Sequence, residues 1–263
     1  MDFINSIINL LSRYGPSYLR GAGTTLLIAL VGTLIGCFIG FAVGVVQTIP
    51  NGKNDKWFQR FALKAGKVIL RAYVELFRGT PMIVQAVFIY YGGLQVFDIK
   101  MNMWTAAFFV VSINTGAYMA ETVRGGILSI DEGQTEGAKA IGMTHFQTML
   151  HVIFPQTLRN IIPQIGNNFI INIKDTSVLS VISITDLFFV HKSVVGAMYT
   201  YFESATIVMV IYLTMTLIAS HLLRLWERKM DGDDTYDLAT SDTLAHTSGM
   251  LNYPDPKKKR EGR

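Results

Sequence analysis

The chain has 263 residues, of which 50% are hydrophobic and only 16% are charged, and its formal net charge is +4. Soluble domains carry about a quarter charged residues, so this composition, with a mean hydropathy of +0.34, predicts a protein that lies within a lipid bilayer. The single cysteine, Cys37, excludes a disulfide or a cysteine-based metal cluster within one chain.

The first 20 residues predict an interfacial segment. Apolar residues such as Phe3, Ile7 and Leu11 recur at helical spacing among polar ones. We expect a short amphipathic helix that lies in the outer membrane interface.

The first hydrophobic run, residues 21–52, contains no Asp, Glu, Lys or Arg. A helix of roughly 20 apolar residues crosses the hydrocarbon core, so we place the first span at about 22–49. This run is longer than the core of a signal peptide and lacks a small-residue cleavage pattern, so we expect a retained anchor. Glycine at every fourth position (Gly32, Gly36, Gly40 and Gly44) predicts a stripe for close helix packing, within the chain or against a second subunit.

Four further hydrophobic runs predict four further spans. Their approximate bounds are 79–97, 102–122, 161–190 and 203–225. The third of these runs contains Lys174, Asp175 and Asp186, so it is either a span with a polar defect or a broken helix. The sequence thus predicts an all-α integral membrane protein with five transmembrane helices and a transmembrane domain over residues 21–230.

The distribution of Lys and Arg predicts the orientation, because positively charged loops resist translocation. On one side lie the loop residues Lys53, Lys56, Arg60, Lys64, Lys67, Arg71, Arg78, Arg124, Lys139, Arg159, Arg224, Arg228 and Lys229. On the other side lie only Arg13, Arg20, Lys100 and Lys192. We expect the N-terminus outside and the C-terminus in the cytoplasm.

The loop at about 129–160, on the predicted cytoplasmic side, contains two helix starts. Asp131 with Gln134, and Thr144 with Gln147, have the spacing of N-terminal caps. The 129–160 loop therefore predicts two short helices.

Two further residues of the 129–160 loop predict where these helices end. Gly142 stands where a helix C-terminus places a left-handed residue, and Pro155 is expected to stop or kink the second helix because it lacks an N–H group. The two helices should therefore meet at an angle.

Residues 231–263 differ in composition from the rest of the chain. Scattered aspartates are followed by the basic run 257–260. We expect a disordered cytoplasmic tail.

The 129–160 loop resembles the EAA loop of ABC-importer permeases. The matching residues are Glu136, Gly137, Ala138, Gly142, Ile153 and Pro155. Gly137 replaces the usual first alanine of this motif, and Phe154 replaces its leucine. Four other stretches (73–81, 120–126, 133–136 and 174–178) resemble the polar amino acid uptake branch, the histidine/glutamine-type permeases, so the resemblance covers about residues 15–230.

This resemblance implies a type I ABC importer permease fold with cytoplasmic coupling helices, in the plasma membrane of a prokaryote. Two permease subunits, identical or homologous, would sit on two ATPase subunits and receive polar amino acids from an extracellular binding protein. The sequence contains no glycine-rich phosphate loop ending in Gly-Lys-Ser/Thr. We therefore expect a subunit that is no enzyme and holds no cofactor, since the ATPase binds ATP and Mg, and we expect no nucleic acid partner.

The candidate substrate path lies in the fourth span. Charges near the centre of a span cost about 2.5–3.5 kcal/mol on insertion scales, so Lys174 and Asp175 need a polar path or a structural partner. The family resemblance favours this segment as the lining of the substrate path. The candidate path residues are Asn167, Asn168, Lys174, Asp175, Thr176 and Ser177. Relatives often have an acidic or amide residue at the position of Asn168, and the neutral amide here favours glutamine or another uncharged polar amino acid.

Two other functions compete with an importer, namely an ion-coupled transporter and a membrane-bound enzyme, and for the enzyme no catalytic triad or His-rich metal cluster stands at a span end. An ion-coupled secondary amino acid transporter would use Lys174, Asp175 and Asp186 as ion or proton sites, but five spans without an inverted repeat argue against it. A metal site is not expected, since His145 and His151 are six residues apart and do not share a helix face.

Overall fold

The structure is a computed structural model that describes residues 2–50 and 57–231. No residue in these ranges is part of a strand, which confirms the all-α prediction. The α-helices are α1 (Asp2–Thr48), α2 (Trp57–Gly79), α3 (Met82–Val87), α4 (Gly93–Phe97), α5 (Met103–Leu128), α6 (Glu132–Ala140), α7 (His145–Thr148), α8 (Phe154–Asp175), α9 (Leu187–Met198) and α10 (Tyr201–Asp231). Two π-helical segments, Phe88–Gly92 and Met149–Ile153, and a 3₁₀ segment, Thr176–Ile182, connect some of them.

Helix α1 is continuous, so no break separates the predicted interfacial segment 1–20 from the first span. It runs through Pro16, which lacks the N–H of a helical hydrogen bond. Leu10 and Tyr18, on either side of this proline, are buried in one core cluster with residues of α9 and α10. Their packing explains why the helix does not break at the end of the amphipathic segment.

The predicted glycine stripe packs α1 against α5, within the chain. A Cβ atom added at Gly36 would lie 2.6 Å from Cβ of Thr115, and one at Gly44 would lie 2.7 Å from Cβ of Val123. Real Cβ atoms do not approach so closely, so the two helices meet at this distance only because the residues are glycine.

The loop predicted between the first two spans contains an amphipathic helix, α2. It exposes large apolar side chains, including Trp57, Phe58 and Phe61. The chain then bends by 111° between α2 and the helical segment Met82–Phe97. Pro81 explains the position of this bend, because the residue before a proline is disfavoured in helical conformation.

The fourth predicted span is a broken helix. The 3₁₀ segment ends at Ser183, which is left-handed with a φ of 65°, and α9 begins after Asp186. The Asp186 carboxylate caps α9 by accepting hydrogen bonds from the backbone N–H groups of Phe188 and Phe189, at 3.2 and 3.0 Å. The polar residue that interrupts the hydrophobic run therefore starts a new helix.

Two helices in the described ranges, α1 and α10, are long and apolar enough to cross a membrane. The number rises to four if each of the two bent pairs is one span. The chain divides into one compact unit over residues 1–227 and a second over 228–263, of which only the end of α10 is described. The predicted tail from residue 232 onward, and Lys53 and Lys56, lie outside the described residues.

Candidate functional site

Local capping builds the two helices of the 129–160 loop. The Asp131 side chain accepts a hydrogen bond from the Gly133 N–H at 2.8 Å and caps α6. Thr144 and Gln147 form a full capping box, with bonds of 3.3 and 2.9 Å between side chain and backbone. Between the helices Gly142 has a φ of 84°, the left-handed conformation expected at a helix end.

The second helix of the 129–160 loop does not stop at Pro155. Helix α7 passes through the π-helical segment Met149–Ile153 directly into α8, and Pro155 occupies the first turn of α8. A proline has no N–H to donate to a carbonyl of the preceding turn, and Pro155 lies just after a π-helical turn. The wider π turn supplies the local adjustment in place of a chain break.

The six residues that match the EAA motif divide into two groups by burial. Ala138 and Ile153 are buried, and Ile153 packs in one cluster with Met119 and Val123 of α5. The exposed members are Glu136, Gly137, Gly142 and Pro155. The loop thus has an inner side fixed to α5 and an outer side that faces away from the helices.

The two most exposed large apolar residues of this loop do not belong to the sequence motif. Ile141 is 80% exposed and Phe146 is 73% exposed. These two side chains offer apolar area that a partner could cover. In the sequence, the exposure of Ile141 and Phe146 was indicated only by their positions beside Gly142 and the Thr144 cap.

A polar cavity of about 280 Å³ lies between the bend after α2, helix α5 and helix α8. It is lined by Thr80, Pro81, Met82, Asn114, Thr115, Tyr118, Asn168, Ile171, Asn172 and Asp175. Of the residues predicted for the substrate path, Asn168 and Asp175 line this cavity together. The Asn168 amide donates a hydrogen bond to the Gln164 carbonyl at 2.9 Å.

Two side-chain networks fix the wall of the polar cavity. The buried Asn172 amide donates to the hydroxyl oxygens of Thr33, at 2.7 Å, and Thr115, at 2.9 Å. The amide of Asn114 donates to the Gln85 side-chain oxygen at 3.0 Å, and the Gln85 amide donates to the Thr80 carbonyl at 2.9 Å. The second network holds the bend at Pro81 against α5.

The other four predicted path residues lie elsewhere. Asn167 is exposed, and the Thr176 hydroxyl is buried and donates to the Ile173 carbonyl at 3.1 Å. Lys174 and Ser177 line a separate cavity of about 380 Å³ beside α9 and α10. The prediction from sequence did not include four residues that line the polar cavity: Asn114, Thr115, Tyr118 and Asn172. For Asn114 there was a usable signal, since it is a polar residue within an apolar run.

A third cavity, of about 740 Å³, lies between the end of α1, helix α2 and the last turns of α5. It is lined by Gln47, Lys64, Lys67, Val68, Arg71, Val74, Glu75, Arg78, Glu121 and Arg124. Arg124 pairs with Glu121, and its Nε donates to Oε2 at 3.2 Å. The Arg78 guanidinium lies over the Tyr118 ring, 5.6 Å from its centroid.

The described residues contain no group of three or more His, Cys, Asp or Glu side chains placed to hold a metal ion. The chemistry that these cavities offer is hydrogen bonding and charge. Both suit the binding of a small polar molecule.

Comparisons with known proteins identify the family. Residues 57–232 match the family model described as "Binding-protein-dependent transport system inner membrane component". The glutamine transport system permease protein GlnP of Escherichia coli K12 is 37% identical over 216 residues, which are 82% of this chain and 93% of that protein. The arginine transport system permease protein ArtQ of Bacillus subtilis is 31% identical over 83% of this chain and 94% of its own length.

Solved structures agree with this assignment. A crystal structure of an amino acid ABC transporter with histidines has a TM-score of 0.75 and 34% identity, covering 87% of this chain and 99% of that one. The MetNI methionine ABC transporter, in an inward-facing conformation, shares the fold with a TM-score of 0.67 at 20% identity, over 82% of this chain and 97% of its own. The resemblance predicted from the 129–160 loop is confirmed, and the chain belongs to the family of inner membrane components of binding-protein-dependent transport systems.

Proposed function

We propose that this chain is the membrane-spanning permease subunit of an ATP-driven ABC importer for polar amino acids, with a glutamine-like substrate. The observation that carries the proposal is the 129–160 loop, whose two capped helices are fixed to α5 by Ile153 and expose Glu136, Ile141 and Phe146. Such a surface fits a partner that grips and moves the loop. The similarity to GlnP and ArtQ, both named as amino acid permeases, supports the substrate class.

The proposed topology has five spans. Helix α5 has 26 residues, which corresponds to a length of about 39 Å, and it completes the set formed by α1, α10 and the two bent pairs. The distribution of Lys and Arg supports an N-terminus outside and a C-terminus in the cytoplasm of a prokaryotic cell. The 129–160 loop then lies on the cytoplasmic face of the plasma membrane.

The proposed assembly contains two ATPase subunits, a second permease subunit and an extracellular amino acid binding protein. Glu136, Gly137, Gly142 and Pro155 lie on the outer side of the 129–160 loop, and we assign them to the ATPase contact together with Ile141 and Phe146. Ala138 and Ile153 hold the loop in place from within. ATP and Mg bind to the ATPase, so this chain has a mechanical rather than a catalytic role.

The polar cavity is the proposed substrate site in this permease. The side-chain oxygens of Asn114 and Asn168 can accept hydrogen bonds from an uncharged polar side chain, and the Tyr118 hydroxyl can donate or accept one. The Asp175 carboxylate can accept hydrogen bonds from the substrate's ammonium group. The neutral Asn168 makes the cavity better suited to a glutamine-like than to a cationic side chain.

The proposed mechanism is alternating access. Closure of the ATPases on ATP would bring the two 129–160 loops of the assembly together, and the fixed contact of Ile153 with α5 would pass this movement to the helices around the polar cavity. The ATPase can drive this change only if it binds the loop differently in the two states.

Reconstitution into proteoliposomes tests this function against an ion-coupled transporter. We expect uptake of labelled L-glutamine or another polar amino acid only when the ATPase subunit, the binding protein and ATP are all present. Uptake driven by a sodium or proton gradient by this chain alone would overturn the proposal.

A further inference from the structure

The 740 Å³ cavity has a strong excess of positive charge. Five of its lining residues are basic: Lys64, Lys67, Arg71, Arg78 and Arg124. Only Glu75 and Glu121 are acidic, and Arg124 already forms an ion pair with Glu121. The cavity, which we call the basic cavity, is therefore suited to an anionic group.

The basic cavity and the polar cavity border the same face of α5. Asn114, Tyr118 and Glu121 are spaced by four and three residues, so they share a helix face. The first two line the polar cavity and the third lines the basic cavity. From Asn114 to Glu121 the helix rises by about 10 Å, a short step for a small molecule.

Arg78 lies at the boundary between the two cavities. It lines the basic cavity, while Thr80, two residues later, lines the polar one. Its guanidinium lies over the ring of Tyr118, which belongs to the polar cavity. The contact of Arg78 with Tyr118 therefore joins a residue of the basic cavity to a residue of the polar cavity.

We propose that the basic cavity is a second substrate site, which binds the α-carboxylate of the amino acid as it leaves the polar cavity, and that Arg78 is its carboxylate-binding residue. This inference rests on the function proposed above. A guanidinium binds a carboxylate through two parallel hydrogen bonds, a geometry that a lysine cannot reproduce. The aromatic face of Tyr118 holds the guanidinium at the boundary before the carboxylate arrives.

Binding of two matched probes tests the site. The complex of permease and ATPase, in nanodiscs without nucleotide, is titrated with L-glutamine and with L-glutamine amide, whose α-carboxylate is replaced by a neutral amide. The wild type should bind L-glutamine about ten- to a hundredfold more tightly, the range for a hydrogen bond to a charged group. Arg78→Gln should reduce this ratio to about twofold or less, and Arg78→Lys should retain part of it.

The matched control is Arg60→Gln, which removes the same charge from the same helix at a residue that does not line the basic cavity. We expect this variant to keep the wild-type ratio. Because the readout is a ratio of two affinities, a general loss of binding by Arg78→Gln does not imitate the expected result. Arg78→Lys keeps the test informative if the glutamine variant fails to fold.

Three results would overturn the proposal. The first is that the wild type binds the two probes equally, or binds neither. The second is that Arg78→Gln keeps the wild-type ratio of the two affinities. The third is a ratio close to one in nanodiscs with anionic lipid that rises only when this lipid is replaced by phosphatidylcholine, since an anionic lipid headgroup would then occupy the cavity in the membrane. None of these affects ATP-driven uptake by the wild type, so failure of the second site remains distinguishable from failure of the proposed function.

Discussion

Asn172 joins three helices through one buried side chain. Its amide on α8 donates to Thr33 of α1 and Thr115 of α5. Asn172→Leu leaves both hydroxyl oxygens without this donor in a buried site, and we expect a loss of about 1–3 kcal/mol of stability. A lower midpoint of thermal unfolding in detergent, read by near-ultraviolet circular dichroism, would show it.

Asn167→Leu is the matched control at the residue scale. It makes the same chemical change on the same helix, but Asn167 is exposed. The control should unfold within a degree or two of the wild type. An equal decrease in both variants would show that the hydrogen bonds of Asn172 contribute nothing specific.

At the scale of helices, the contact of α1 with α5 depends on the absence of side chains. A Cβ atom at Gly40 would lie 2.8 Å from both the Ala120 nitrogen and the Gly116 oxygen, which are backbone atoms and cannot rotate away. Gly40→Ala should therefore cost about 1–3 kcal/mol, the usual effect of overpacking. The expected measurement is a reduced half-life of the folded protein on heating in detergent.

Gly23→Ala provides the comparison on the same helix. A Cβ atom at Gly23 meets nothing within 4 Å. Alanine also favours the helix over glycine, so this variant should be as stable as the wild type or slightly more so. Tolerance of Gly40→Ala to the same degree would mean that α1 and α5 are free to separate.

At the scale of the whole molecule, the 129–160 loop is where force from the ATPase would enter the permease. Glu136 is exposed on α6, so Glu136→Lys leaves the packing of the loop intact. We expect normal membrane insertion, at least a tenfold loss of affinity for the ATPase, and loss of the ATP hydrolysis that the binding protein stimulates. Co-purification and ATPase rates in proteoliposomes measure both.

Glu227→Lys reverses the same charge on α10, outside the 129–160 loop. It should leave co-purification and the stimulated hydrolysis unchanged. Full coupled transport by Glu136→Lys would exclude Glu136 from the ATPase contact.

Features set by neighbours in sequence were predictable, and features set by distant residues were not. The capping box of Thr144 and Gln147 and the left-handed Gly142 follow from spacing alone, because a cap is a bond between residues three apart. Asn172 contacts Thr33, which is 139 residues away. No local pattern carries that information, so the polar cavity was only partly foreseen.

Predictions of where helices end depended on competing effects. Pro155 was expected to stop or kink a helix, and it instead occupies the first turn of α8 after a π-helical segment. The first 20 residues were expected to form a short amphipathic helix, and they are the start of the longer helix α1, in which Tyr18 is buried. At Pro155 the preceding π-helical turn decided the outcome, and at Tyr18 tertiary packing did.

The four-residue repeat of glycine on α1 faces a four-residue repeat of side chains on α5, formed by Val111, Thr115, Met119 and Val123. Each of these α5 side chains lies over one glycine of α1, and successive glycines are about 6 Å apart along the helix. A smaller axial shift would press the α5 side chains against the side chains of α1 that lie between the glycines. The two helices are thus blocked from sliding past each other in small steps. We therefore expect α1 and α5 to move together as one rigid unit.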